Sequence, residues 1–323
     1  MEKLPEEIEL NENGDLEKEN FRDQFAHPEK IRFGESSFDA WDIHPSGEEK
    51  EVPVLFVSGW GLTPRTYEEG IYEYVKAGRR VLAFSSPAEE AKSDQVRTDD
   101  YPPAQVHHAN AILTLIEAKN LNKVDIIAHS EGCINVAIAA EMAPDLFRHF
   151  VLVAPPDLTE KESRLNIIKQ SSRNSRGLRK ELDAVSKKIA GDLATREEKE
   201  QYVKEEERYE RAEKDVSSWL RERGYIKGLW ESTNSVVTSH ILRDLKAEGG
   251  HGISIVSGVD DEMVSMKKLQ TQDTSDLGID GFYSVKGGHS NIYRQPEQFA
   301  YLAAHALGAL EEKYAKIPPP PSQ

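Results

Sequence analysis

The chain has 323 residues, of which 57 are acidic and 41 basic, and its formal charge at neutral pH is −16. This surplus of carboxylates argues against nucleic acid as a partner, because phosphate binding needs clustered Lys and Arg. The single cysteine, Cys133, excludes an internal disulfide. No run approaches the roughly 20 apolar residues that span a bilayer, and residues 1–7 lack the basic and apolar blocks of a signal peptide. We therefore expect a soluble, cytoplasmic protein with no stable membrane insertion.

The order of predicted elements indicates an α/β protein. Residues 1–28 are acidic and poor in apolar side chains, which predicts a loosely held arm with a short helix near residues 17–25. Beyond this arm, short β-branched runs alternate with helical patterns, which is typical of βαβ units and a mostly parallel sheet with flanking helices. The predicted strands are 31–33, 38–43, 52–57, 80–84, 124–128, 150–153, 253–257 and 282–285. The predicted helices are 66–77, 103–119, the segment from the end of strand 124–128 to about 142, and 295–316.

Besides the N-terminal arm, a tail and an insertion lie outside the predicted core. The core itself is predicted to comprise residues 29–157 and 248–316, with a Pro-rich tail at 317–323. Residues 158–247 form an insertion of helical character. Residues 196–214 within it are almost wholly charged, which predicts a helix that faces solvent; an oligomer contact through the charged helices is the alternative.

The most informative stretch is residues 124–133. An apolar strand ends at Ala128-His129-Ser130-Glu131-Gly132 and passes at once into an apolar helical run. A serine between small residues in a tight strand-to-helix turn is typical of a nucleophile elbow, where larger side chains would collide with neighbouring elements. An ordinary turn whose serine caps the helix is the alternative.

The chain also supplies partners for this serine. A serine hydroxyl needs a histidine base, and the imidazole needs a carboxylate that orients it. Asp260 and Asp261 follow the penultimate predicted strand, and His289 follows the last. The carboxyl ends of parallel strands share one edge of a sheet. Each residue alone could be an ordinary loop residue, but the order serine, acid, histidine favours a triad.

Together these motifs resemble the α/β-hydrolase superfamily. Its acid turn, Gly-x-x-Asp-x-x-Val, matches Gly258, Asp261 and Val264. Its histidine loop, Gly-His followed by Pro-Glu, matches Gly288-His289 and Pro296-Glu297. The resemblance therefore implies that Asp261, rather than Asp260, is the acid of the triad.

The resemblance further implies an oxyanion hole and a cap. The oxyanion donors would be the backbone N–H groups of Trp60 and Glu131. Ser58 stands where the family commonly has histidine, which leaves open how the loop at Trp60 is braced. The family places a helical cap where residues 158–247 lie, which implies a mobile lid over a pocket. The candidate pocket residues are Trp60, Leu62, Trp230, Val237 and Ile241.

The implied chemistry is acyl transfer. Relatives that open epoxides or remove halides carry aspartate at the elbow, whereas position 130 is serine. We expect a serine hydrolase that cleaves an ester or a related small acyl substrate, with no metal or organic cofactor. The same triad could cleave an amide, a thioester or a carbon–carbon bond, or act as an acyltransferase. A non-catalytic ligand-binding or receptor protein on this fold is the alternative from another class.

Overall fold

A single eight-stranded sheet organises the chain. The computed structural model describes residues 5–87, 101–156, 158, 180, 183–190, 194–223, 239–261 and 277–316. The strands are β1 (Glu29–Phe33), β2 (Ser36–Ile43), β3 (Val54–Val57), β4 (Val81–Phe84), β5 (Val124–His129), β6 (Phe147–Val153), β7 (Gly252–Gly258) and β8 (Gly281–Val285). Their order across the sheet is β1-β2-β4-β3-β5-β6-β7-β8. The pairs β1–β2 and β2–β4 are antiparallel and the other five are parallel. The predicted fold class is therefore confirmed.

Helices cover both faces of this sheet. They are α1 (Pro5–Ala26), α2 (Glu68–Lys76), α3 (Pro103–Ala118), α4 (Glu131–Met142), α5 (Arg196–Arg223), α6 (Ser239–Glu248), α7 (Asn291–Arg294) and α8 (Pro296–Tyr314). Short 3-10 turns occupy Pro64–Tyr67 and Pro144–Leu146. Residues 183–190 are also helical.

The central strands are apolar on both faces because both faces are covered. Leu55 and Val57 of β3 belong to the apolar cluster that includes residues of α3, α4 and α6. Val54 and Phe56, which alternate with them, belong to the cluster that includes residues of α1, α2 and α8. Successive strand side chains point to opposite faces, so a doubly covered strand reads as an unbroken apolar run. This burial explains why the strands are recognisable in the sequence.

The N-terminal segment differs from the expectation of a loosely held arm. Helix α1 is longer than the predicted short helix, and its Phe21 and Phe25 side chains are buried. Phe21 packs on Tyr72, and Phe25 stacks on Trp41. The Trp41 indole N–H donates a hydrogen bond to the Phe25 carbonyl at 2.9 Å. The prediction was wrong here because two aromatic residues one helical turn apart dock an otherwise polar helix, and the Gln24 side chain adds a 2.9 Å hydrogen bond to the His44 carbonyl.

The charged helix of the insertion also differs from its prediction. Residues 196–214 lie in α5, but one face of that helix binds the core instead of solvent. The Arg208 side chain is only 5% exposed, and it donates a 2.6 Å hydrogen bond to the Arg294 carbonyl. Arg211 donates to the Glu69 carboxylate at 2.6 Å. The prediction of a solvent-facing helix is wrong for this face, because its charges have partners far away in the sequence.

The amino end of β5, the strand that leads to Ser130, is anchored by a buried carboxylate. Asp125 is fully buried and accepts a hydrogen bond from Arg148 Nε at 2.8 Å. Arg148 also bonds to Glu311 on α8 at 2.8 Å. Burial raises the pKa of Asp125, and the hydrogen bonds and charge of Arg148 oppose that rise. These contacts anchor the amino end of β5, which is the end opposite to Ser130.

His149 of β6 makes the stability of this sheet depend on pH. Its Nδ1 accepts a hydrogen bond from the Gly252 N–H on β7 at 3.1 Å. Burial, helped by the charge of Arg148, lowers the pKa of His149 from 6.5 to about 4. Between these two pKa values, His149 is protonated in the unfolded chain and neutral in the folded chain. This contribution to stability is present above the unfolded pKa and is lost as the pH falls towards the folded pKa.

We expect the His149→Gln variant to lose less stability than wild type between about pH 7.5 and about pH 5.5. A group with these two pKa values loses about 1 kcal/mol over that interval, and glutamine keeps an acceptor for Gly252 without titrating. Urea unfolding at the two pH values measures the difference. An equal loss in both proteins would contradict a depressed pKa at His149.

Candidate active site

Ser130 stands at a strained turn between β5 and α4. Its backbone has φ +51° and ψ −125°, a region that costs free energy for any residue with a side chain. The turn is held by a hydrogen bond from Ser130 N–H to the Val153 carbonyl at 2.9 Å. Such strain is typical of a nucleophile elbow, since it lifts the hydroxyl clear of the sheet.

The small residues on each side of Ser130 have a steric reason. A Cβ added to Gly132 would lie 2.6 Å from the Ser58 carbonyl and 2.8 Å from the Val57 carbonyl. Those contacts are with backbone, so the position requires glycine. Ala128 is fully buried in the apolar core, and its one methyl group is accommodated there.

His289 lies between the serine and one of the two aspartates. Its Nε2 is 3.0 Å from Ser130 Oγ, and its Nδ1 is 2.9 Å from Asp261 Oδ2. The Asp261 side chain is fully buried, whereas Asp260 is exposed. The structure thus brings Ser130, His289 and Asp261 into one hydrogen-bonded chain.

The loops that carry Asp261 and His289 are held in contact by glycines. Gly258 ends β7, and a Cβ there would lie 2.2 Å from the Gly287 carbonyl. That carbonyl accepts a hydrogen bond from Asp260 N–H at 3.0 Å. Gly287 itself has φ +125°, a conformation that residues with side chains rarely adopt. The close approach of these two backbones sets the distance between acid and imidazole.

The predicted oxyanion residues flank Ser130 on two elements. Glu131 is the first residue of α4, so its N–H belongs to the helix start, where backbone donors favour an anion. Trp60 lies in the Trp60 loop, which we define as residues 58–63 after β3. A Cβ added to Gly59 in this loop would be 3.3 Å from Ser130 Cβ, so the loop runs beside the serine. Two separate backbone segments therefore border the hydroxyl.

A buried pair that the sequence does not single out, Tyr67 and His129, supports the Trp60 loop. The Tyr67 hydroxyl accepts a hydrogen bond from Gly59 N–H at 3.2 Å and lies 2.8 Å from His129 Nδ1. Because the oxygen already accepts from Gly59, its O–H proton can be donated to the imidazole. The only sequence signal is a histidine beside the elbow serine. Its partner is 62 residues away along the chain, so local patterns give no indication of the pair.

The His129 ring also lies beside His289, with ring centroids 5.0 Å apart. Burial lowers the pKa of His129 well below its ordinary value, and the charge of His289 lowers it further. Burial likewise raises the pKa of Tyr67. Both groups are therefore neutral at physiological pH, so His289 gains no second positive charge as a neighbour.

The candidate pocket residues have different environments. Leu62 is half-buried and packs against the apolar cluster of α2 and α8. Ile241 on α6 is 1% exposed and lies in the cluster shared with α4. Trp60 is half-buried and packs edge-to-face on Trp219 of α5. Trp230 and Val237 lie outside the described residues.

The surroundings of the single cysteine disfavour thiol chemistry. Cys133 is buried, its thiol lies 3.2 Å from the Ala128 carbonyl, and burial raises its pKa, which disfavours a reactive thiolate. Within the described residues, no three His, Cys, Asp or Glu side chains are grouped as metal ligands would be. No helix in the same part of the chain is long and apolar enough to cross a bilayer.

Comparisons with known proteins agree with this architecture. Residues 52–193 match the sequence model of the α/β-hydrolase fold family. No protein with a curated description matches the sequence. An esterase from Thermogutta terrifontis is similar in structure, with a TM-score of 0.59 at 15% identity, over 88% of this chain and 99% of that one.

Two further solved structures show the same likeness. A carboxylesterase study of the thaumarchaeon Nitrososphaera gargenis provides one, with a TM-score of 0.58 at 14% identity over 88% of this chain and 100% of that one. A bromoperoxidase from Bacillus anthracis provides the other, with a TM-score of 0.55 at 17% identity over 87% of this chain and 100% of that one. At such identities the structural likeness shows the fold alone and not the reaction.

The Tyr67→Phe variant tests the buried pair. We expect it to lower the free energy of unfolding by about 1–3 kcal/mol, because Gly59 N–H and His129 Nδ1 lose a buried partner. Tyr74→Phe is a matched control, since both tyrosine rings pack on Phe56. Urea unfolding of the two variants provides the comparison. Equal free energies of unfolding for the two variants would contradict a stabilising role of the Tyr67 hydroxyl.

Proposed function

We propose that this α/β-hydrolase-fold protein is a serine hydrolase that cleaves an ester or a related small acyl substrate through an acyl-enzyme. The observation that carries the proposal is the hydrogen-bonded chain from Ser130 Oγ through His289 to the buried Asp261. Each neighbour in this chain has the chemical type that its role needs: a hydroxyl, an imidazole and a carboxylate.

The first half-reaction forms the acyl-enzyme. His289 Nε2 accepts the Ser130 proton while Oγ attacks the substrate carbonyl carbon. The carbonyl oxygen becomes an oxyanion, and the N–H groups of Trp60 and Glu131 stabilise it. His289 then donates its proton to the leaving alkoxide as the bond from the acyl carbon to that oxygen breaks. The alcohol departs, and the acyl group stays on Ser130.

The second half-reaction releases the acid. A water molecule takes the place of the alcohol, and His289 accepts its proton as the water oxygen attacks the acyl carbon. The bond from the acyl carbon to Ser130 Oγ then breaks, and His289 returns the proton to Oγ, so the acid departs and the free serine is restored. Asp261 stabilises the imidazolium that forms in both half-reactions. By accepting a hydrogen bond from Nδ1–H, it also keeps the proton of the neutral imidazole on Nδ1. The neutral state of His129 assists this step, because a second cation 5.0 Å from the His289 ring would oppose its protonation.

A fluorophosphonate probe tests the nucleophile. We expect one adduct per wild-type chain, on the peptide that contains Ser130, and none on Ser130→Ala. Intact-mass and peptide mass spectrometry give the readout, and circular dichroism shows that the variant is folded. A folded wild-type chain that takes up no probe and turns over no acyl substrate would favour a non-catalytic ligand-binding protein.

The two neighbouring aspartates offer a matched pair for the acid. Asp261→Asn should lower kcat for a p-nitrophenyl ester by about 10³–10⁴-fold, because the amide no longer fixes the correct imidazole tautomer. Asp260→Asn, at an exposed position, should change kcat by less than about twofold. Steady-state kinetics with both variants decides between the residues. A large loss in Asp260→Asn alone would reverse the assignment.

A substrate panel decides the bond that is cleaved. We expect p-nitrophenyl esters to be cleaved faster than an anilide, a thioester or a β-diketone. Among the esters, kcat/KM should vary with acyl length. Faster cleavage of the β-diketone than of every ester would assign carbon–carbon hydrolysis instead. Faster cleavage of the anilide or thioester would assign that bond in the same way.

A further inference from the structure

One carboxylate of the insertion is bonded three times to the segment that carries Trp60. Asp215 lies on α5, and its Oδ2 accepts hydrogen bonds from Thr63 N–H at 3.0 Å, Thr63 Oγ1 at 2.7 Å and Thr66 Oγ1 at 2.7 Å. Hydrogen bonds to an ionised group are stronger than those between neutral groups. This single oxygen therefore joins the insertion to the end of the Trp60 loop.

Apolar contacts of the same helix continue along the loop. The Trp219 ring packs edge-to-face on Trp60, with centroids 4.9 Å apart. Val216 faces Gly61, where an added Cβ would lie 3.5 Å from Val216 Cγ2. Gly61 has φ +65°, so the loop bends at this point through a glycine conformation. Three consecutive contacts of α5 thus follow the loop from Trp60 to Thr63.

The side chains of the Trp60 loop do little to hold it in place. Ser58 Oγ and Trp60 Nε1 are buried and make no hydrogen bond to any residue within the described ranges. The Tyr67 hydroxyl holds Gly59, and a turn bond joins Leu62 N–H to the Gly59 carbonyl at 3.2 Å. The far end of the loop, from Gly61 to Thr63, is held by α5. The contacts of α5 therefore complete the support of the loop at the end that Tyr67 does not reach.

We infer that Asp215 is a positioning residue for the oxyanion donor at Trp60. The docking of α5 then determines whether the Trp60 N–H is placed to bind the oxyanion. This inference rests on the proposed function, because it is the proposed reaction that needs the Trp60 N–H. The donor must point at the position where negative charge develops, and a misplacement of about 1 Å can cost on the order of 100-fold in rate. Asp215 acts through the loop and touches no substrate.

The expected kinetic signature separates this role from substrate binding. The oxyanion forms only along the reaction path, so a poorly placed donor lowers kcat and leaves KM nearly unchanged. We expect Asp215→Ala to lower kcat for a p-nitrophenyl ester on the order of tenfold, with KM within about twofold. That loss is smaller than the roughly 10²–10³-fold cost of removing a donor outright. Asp215→Asn keeps one acceptor oxygen and should fall between Asp215→Ala and wild type.

A matched control removes a carboxylate from the same helix without touching the core. Glu200 pairs only with Arg196, at 2.9 Å within α5, among the ion pairs of the described residues, and both side chains are exposed. Glu200→Ala should leave kcat unchanged. Thr63→Ala removes one of the three donors from the opposite side of the contact, and it should lower kcat by a smaller factor of the same kind. It also serves as the test if Asp215→Ala does not fold.

Hydrogen exchange provides a readout that needs no catalysis. Amides in the peptide that covers residues 59–66 should exchange faster in Asp215→Ala than in wild type or Glu200→Ala, while peptides of β3 and β5 stay unchanged. Unchanged exchange in this peptide, or a raised KM with normal kcat, would overturn the positioning role even if wild type labels at Ser130. Inertness of wild type toward probe and esters would instead overturn the proposed function, and the exchange comparison would still decide whether Asp215 holds the loop.

Discussion

The backbone conformation of Ser130 is the constraint on which the rest of the site depends. A serine at φ +51° is tolerated only because the turn is bonded to β6 and because Gly132 lets the Ser58 and Val57 carbonyls approach closely. The parallel sheet then brings the ends of β5, β7 and β8 to one edge, where the loops of Asp261 and His289 touch through Gly258 and Gly287. The hydrogen-bonded chain follows from that geometry, since no long side-chain reach is needed to complete it.

One buried carboxyl group is the hydrogen-bond partner of the His289 imidazole. Asp261 is buried beside His289, while the neighbouring His129 stays neutral because burial lowers its pKa. Neutral His129 and Tyr67 hold the Trp60 loop from the core side, and the Asp215 carboxylate holds it from the insertion. Ser58 Oγ makes no hydrogen bond to the described part of the chain, so the side-chain support of the loop comes from these other residues.

Much of this arrangement could be predicted from the sequence, because it is encoded by local patterns. Doubly buried strands read as apolar runs, and the elbow, the acid turn and the histidine loop each lie within a few residues. The contacts that the sequence did not reveal are non-local. Phe21 and Phe25 dock α1 on Trp41 and Tyr72, and Arg208 and Asp215 pair with residues on the core from within a highly charged helix. Periodicity records which face of a helix is apolar, but it does not record where a charge finds its partner.

A crystal structure of the phosphonate adduct tests the central claim most directly, because it observes the nucleophile and the oxyanion site together. The account predicts a covalent bond from Ser130 Oγ to phosphorus, with the phosphonyl oxygen about 3 Å from the backbone nitrogens of Trp60 and Glu131 and with His289 still bonded to Asp261. Phosphorus bonded to any other residue, or a phosphonyl oxygen directed away from both nitrogens, would contradict it.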